Sequence, residues 1–266
     1  MKFNSDKFEC LRFWPNSGDP PAFEYKGPDN DTIEVKTELR DLGVQISSDL
    51  KFKVHIEKTI TAASKLAGWG LRSFRGRSKR LMKTVWKTLV QPKIDYCCQL
   101  WSPSDQESIN KLESVQRHFT SKVTGMQGLD YWERLSTLQL YSQERRRERY
   151  LIIFLWKLSQ GMVKGYDVTF SYSDRRGRGV VPHPIVRNSP CAVRQARESS
   201  LRVKGAKLFN VLPDCIQNIN SDHVDLFKAH LDAFLSEIPD QPTVPGLTRA
   251  AETNSLLHQI PMLLQS

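Results

Sequence analysis

Two hydrophobic periods divide the chain. Up to about residue 50, apolar residues come in short runs broken by turn formers. Phe8–Phe13 reads as a strand, interrupted by Trp14-Pro15-Asn16-Ser17-Gly18 and the prolines after it. Ala22–Tyr25 and Thr32–Lys36 flank Lys26-Gly27-Pro28-Asp29-Asn30-Asp31, the pattern of a hairpin, and Leu42–Ile46 reads as a further strand ending at Ser47-Ser48-Asp49. From about residue 51 the repeat lengthens to that of a helix: Phe52, Ile56, Ile60, Ala63 and Ala67 share one face, with Gly68 and Gly70 placed to close it. Leu81, Val85 and Leu89, with Met82 and Trp86, form the stripe of a second helix that Pro92 should end or kink.

Further along, Ser104-x-x-Glu107 has capping-box spacing and opens a helix carrying Ile109, Leu112, Val115, Phe119 and Val123, with Gly125 beyond its end. Asp130-x-x-Glu133 opens a short helix through Leu138. Ser142 can cap another, whose front half, Glu144–Arg149, is charged while Leu151–Leu158 is apolar nearly all round and should be buried. Residues 162–200 show little periodicity and read as an exposed connector. Apolar residues return at Ala206–Pro213, and Ser221 is placed to cap a last helix with Phe227, Leu231, Phe234, Leu235 and Ile238 on one side. Past Pro239 the tail is polar and turn-rich, which predicts weak order. The fold class expected is α+β, mostly helical: strands over 1–50, a helical domain over 51–161, a connector over 162–200, a helical module over 201–240 and a tail over 241–266.

Composition narrows the function. The formal net charge of +10 points toward a polyanion, and its distribution matters more than its total. Ten basic residues lie between Lys58 and Ile94 without one Asp or Glu. Arg72, Arg75, Arg77, Lys79, Arg80, Lys83 and Lys87 are the candidate phosphate contacts, and Trp69 and Phe74 interleave with them in a way that suits stacking on a base or sugar. The competing reading is a solvated basic face with both aromatics in the core. Arg145-Arg146-Arg147 is a weaker candidate, because Glu144 and Glu148 can pair with it along a helix. The longest apolar run, Tyr150–Trp156, is seven residues, against about 20 for a membrane span, and Met1–Asp6 has no signal-peptide core. An intracellular protein, nuclear or cytoplasmic, is expected. Cys10, Cys97, Cys98, Cys191 and Cys215 include no Cys-x-x-Cys pair, so neither a disulfide scaffold nor a zinc site is indicated, and Cys97 and Cys98 read as small core side chains. His223 and His230 have no partner spaced for a metal.

The order of motifs resembles the C-terminal part of a LINE-type (non-LTR, Jockey-like) retrotransposon reverse transcriptase. Four segments carry the likeness: Asn4-x-x-Lys7 leading into Phe8–Phe13; Leu42-Gly43-Val44 followed by Asp49-Leu50 and His55-Ile56; Leu89–Cys97 with Leu100-Trp101-Ser102-Pro103 and Lys111–Arg117; and Phe209–Pro213 with Phe227-Lys228 and Leu231. Phe209 stands where a Trp is more usual. The resemblance implies the end of a palm, a helical thumb and a small C-terminal module. It implies a nonspecific partner, RNA or an RNA–DNA or DNA duplex, held by phosphate contacts. It makes Lys7 the candidate for neutralising departing pyrophosphate, although an exposed lysine at a strand start is the plainer reading. Nucleotidyl transfer requires clustered carboxylates to hold two metal ions. The family's hydrophobic-x-Asp-Asp turn is absent, so those residues are expected upstream of Asn4, and magnesium is expected only for a complete polymerase. The alternatives are a host-adopted helical scaffold and an inactive remnant with no selected function.

Overall fold

The computed structural model describes residues 7–13, 23–164, 198–242 and 254–263. Three two-stranded ribbons open the chain. Strand β1 (Cys10–Leu11) runs parallel to β4 (Val35–Lys36), β2 (Tyr25–Lys26) pairs antiparallel with β3 (Thr32–Ile33), and β5 (Glu38–Asp41) pairs antiparallel with β6 (Val44–Ser47). The hairpin around Gly27–Asp31 forms where the turn residues predict it. At the next hairpin the sequence reading is corrected: Leu42 and Gly43 are the turn, both with positive φ (45° and 89°), and the strand begins at Val44. A two-residue turn with this handedness matches the twist of the strands it joins.

The helical part begins with α1 (Lys53–Ser73), which runs straight through Gly68 and Gly70 rather than stopping there. Gly70 has another task. A Cβ at that position would lie 2.8 Å from Val85 Cγ1, so the glycine lets α2 (Lys79–Val85) approach the backbone. Ser78 caps α2 by accepting the Leu81 N–H. The chain then passes through a π turn (Trp86–Val90) into α3 (Gln91–Asp95). Pro92 therefore does not end the helix, because the wider turn absorbs its missing N–H and its ring.

Next come α4 (Cys98–Trp101) and α5 (Gln106–Ser121). Asp105 caps α5 by accepting the Ser108 N–H, so the cap lies one residue past the predicted Ser104. Helix α6 (Tyr131–Leu138) opens on the predicted capping box, with Asp130 and Glu133 each accepting the other's backbone N–H. Helix α7 (Gln143–Ser159) opens on Ser142, as its pattern predicts. After it come a second π turn (Leu201–Gly205), α8 (Ala206–Asn210), α9 (Asp214–Gln217), α10 (Val224–Ser236) and α11 (Leu256–Leu263). Ser221 accepts the His223 N–H just before α10 instead of capping it. Helix α11 corrects the expected weak order of the tail, since Leu256 and Ile260 are fully buried. Most of the predicted connector lies outside the described residues. The protein is α+β and mostly helical, and no helix among the described residues is long and apolar enough to cross a membrane.

Two apolar cores result. The first gathers Val44 with α1, α2, α3 and α5, centred on Trp86, Trp101 and Phe119. His55 ties the strands to this core: its Nδ1 accepts the Gln45 N–H at 3.2 Å and its ring meets Trp101 edge-on at 5.0 Å. Burial and the nearby Lys93 and Lys58 charges lower its pKa, favouring the neutral ring that can accept that bond. The second core joins the back half of α7 to α8, α10 and α11, with Trp156 stacked on Phe227 at 4.4 Å.

Between the cores lies the charged front half of α7, and it is buried. Arg145 is 0% exposed, and its guanidinium donates to the carbonyls of Leu235, Ile238 and Pro239 at the end of α10 and to Gln259 of α11. Its Nε lies 3.9 Å from Asp240, whose carboxylate accepts both the N–H and the hydroxyl of Ser142. Glu148 accepts the Leu256 N–H at 2.8 Å and the Ser255 hydroxyl at 2.6 Å, while Lys204 stands 3.2 Å away. The glutamate thus caps α11 with an anion where the helix dipole is positive. On the other side, Glu113 accepts the Gln143 N–H at the start of α7 and the Tyr131 hydroxyl. Arg146 pairs with Asp95 at 2.8 Å. The charged run expected to pair along its own helix instead forms ion pairs with other elements, at the seam that joins the two halves of the protein.

Candidate nucleic-acid interface

The acid-free stretch folds into the last turns of α1, the loop 74–78, α2, the π turn and α3. Its composition leaves few internal partners for its charges. No ion pair among the described residues uses any of its ten basic side chains. Arg72, Arg75, Lys79 and Arg80 are exposed at the corner between α1 and α2. The corner is held from beneath. Phe74 ends α1 in an extended conformation and packs against the first core, and the Arg77 carbonyl accepts the Thr124 N–H at 2.8 Å. A pinned loop presents its cations at a low ordering cost on binding.

The other candidates part from this group. Arg77 is half-buried and donates to the Leu71 carbonyl at 3.2 Å, so it braces the corner from inside. Lys83 donates to the Gln139 side chain at 3.1 Å, tying α2 to the end of α6. Lys87 is exposed one turn further on, where partial burial and the charges of Lys83 and Arg146 lower its pKa. Lys7 is exposed three residues ahead of β1. Arg145 and Arg147 are withdrawn from any surface role by burial, which α7 periodicity alone did not reveal.

Trp69 corrects the expectation of a core residue, being 50% exposed on α1, while Phe74 is half-buried and meets it edge-on at 6.5 Å between ring centres. Cys97 is likewise exposed, with φ 51°, whereas Cys98 is buried and its thiol is pushed up to about 12 by burial. Cys191 lies outside the described residues. His223 and His230 are both exposed. Among the described residues no three His, Cys, Asp or Glu side chains stand together as metal ligands.

A second surface feature is an open groove of about 840 Å³ between α1, α4 and the second π turn. Leu50, Phe52, Leu100 and Trp101 line it together with Lys53, Asp105 and Arg202. Its mixed lining converges on no single chemistry.

The fold and this corner define a mostly helical α+β protein with a fixed, solvent-facing cationic edge. No family model matches the chain, and no solved structure matches it. Over 91 residues, 34% of its length, it is 26% identical to a Caenorhabditis elegans protein described as "Uncharacterized protein B0403.1". The chain spans 46% of that protein's length.

Proposed function

We propose that this chain is the nucleic-acid-positioning part of a LINE-type reverse transcriptase, a thumb-like helical bundle with a C-terminal module, that holds RNA or an RNA–DNA or DNA duplex without reading its sequence. The observation that carries the reading is the α1–α2 corner. Arg72, Arg75, Lys79 and Arg80 face solvent there, in a stretch with no acidic residue to neutralise them. Cations so placed meet backbone phosphates, which set position but carry no sequence information. The order of the four sequence motifs supports the family.

The test is affinity for an RNA–DNA duplex as a function of salt. Each phosphate contact releases counterions, so log K falls linearly with log salt at about 0.9 per contact on B-form duplex. Changing Arg75, Lys79 and Arg80 to Glu together should weaken binding at least a hundredfold at low salt and flatten the slope by about two to three units. A flat salt dependence in the unaltered protein would refute the proposal. A second reading, a helical protein-interaction module, is favoured by the apolar side chains exposed around the N-terminal ribbons. Phe23 is 65% and Leu42 84% exposed. If the triple reversal leaves nucleic-acid affinity unchanged, this second reading replaces the first.

A further inference from the structure

The solvent face of α1 carries more than charge. Lys65, Trp69 and Arg72 follow one another at spacings of four and three residues, which places them on one side of the helix. All three are exposed, while Ala63, Ala67, Gly70 and Leu71 are buried on the opposite side. An indole ring therefore stands between two cations. Half of its surface is open to solvent. Phe74 stands at 84° to it with 6.5 Å between ring centres, so the two rings do not stack. The Arg72 guanidinium lies back along the helix, where a Cβ on Gly68 would come within 3.1 Å of its Nη1. Among the described residues the arginine–ring stacks fall on Tyr25, Tyr131 and Tyr150, not on Trp69.

We infer that Trp69 is a stacking platform for an unpaired base, so that the corner engages single-stranded nucleic acid as well as duplex, with Lys65 and Arg72 on the phosphates to either side. This rests on the nucleic-acid reading above and goes beyond it by naming the strand state. A base locked in a duplex hides both faces in the stack, whereas an unpaired base offers one to the ring. Such stacking is tolerant of sequence, because every base has a π face.

The experiment titrates the full chain with labelled oligothymidine, with an abasic oligomer of the same length and with a blunt duplex. Trp69→Ala should weaken oligothymidine binding roughly tenfold while leaving the abasic oligomer, the duplex and the salt slope unchanged. Trp69→Phe should keep most of the affinity. Oligothymidine should quench tryptophan emission in the unaltered protein and less in Trp69→Phe, because Trp86, Trp101 and Trp156 are buried and Trp132 is half-buried. Equal loss on the abasic oligomer, or no loss on oligothymidine, overturns the inference. If Trp69→Ala changes nothing while reversal of Arg75, Lys79 and Arg80 abolishes all binding, the cationic edge stands without the stack. If no polymer binds at low salt, both readings fall and the exposed ring is left to a protein partner.

Discussion

Glu144 offers the sharpest test of the seam between the two cores. It is 8% exposed on α7, one turn ahead of Glu148, and its carboxyl is raised from 4.5 to about 7. Burial is the largest cause and the Glu148 charge the next, with Glu113 adding to it and Lys204 and Arg147 opposing. An acid whose pKa is higher in the folded state holds a proton that the unfolded chain has already released. Its contribution to stability is therefore complete below about pH 4.5 and is lost as pH rises through about 7. A shift of this size, at about 1.4 kcal/mol per unit, sets an upper bound on the order of 3 kcal/mol. Glu144→Gln keeps the shape and removes the ionisable group. The variant should match the unaltered protein near pH 4.5 and exceed it by as much as about 3 kcal/mol at about pH 8.5. Urea denaturation followed by tryptophan fluorescence measures this, since Trp86 and Trp156 sit in the two cores. Taking the difference between variants cancels the groups that titrate independently of Glu144, while the coupling to Glu148 and Glu113 stays within the difference. A gap independent of pH, or a variant less stable at high pH, would show that the carboxylate is satisfied where it lies and refute the reasoning.

Replacing Arg145 with Met should cost about 3 to 5 kcal/mol, because Asp240 is left partly buried without its cation and three carbonyls lose their donor; chemical denaturation reads it, and a loss below about 1 kcal/mol would show a dispensable pair. Gly70→Ala gains helix propensity yet drives a methyl to 2.8 Å from Val85, so a net loss of about 1 kcal/mol is expected, relieved when Val85→Ala is added. A stabilised single variant would mean that α2 moves away freely. Leu42→Asn should stabilise by up to about 1 kcal/mol, since a β-hairpin turn with φ 45° suits Asn before Gly43 and the leucine side chain is 84% exposed. An unchanged melting temperature would argue that the exposed leucine makes contacts of its own.

What could be read along the chain was what three or four neighbouring residues decide. The Asp130-x-x-Glu133 box, the Ser142 cap, the Gly27–Asp31 turn and the apolar back half of α7 all depend on local spacing, and all appear in the structure. The acid-free basic run was equally plain, since charge counting needs no fold. What failed was the reading of which charged and aromatic side chains would be covered. Periodicity groups residues on a side of a helix but does not say what arrives there. Arg145 is buried because residues 90 to 114 positions away supply its acceptors. Trp69 points outward because Gly70, its neighbour, takes the place against α2. Helix α11 orders because a carboxylate of α7 caps it. The sequence alone determined where several helices begin, which residues share a side and where charge accumulates. The tertiary structure alone decided which charges are consumed in holding two cores together and which remain at the surface, because burial depends on partners distant in the chain.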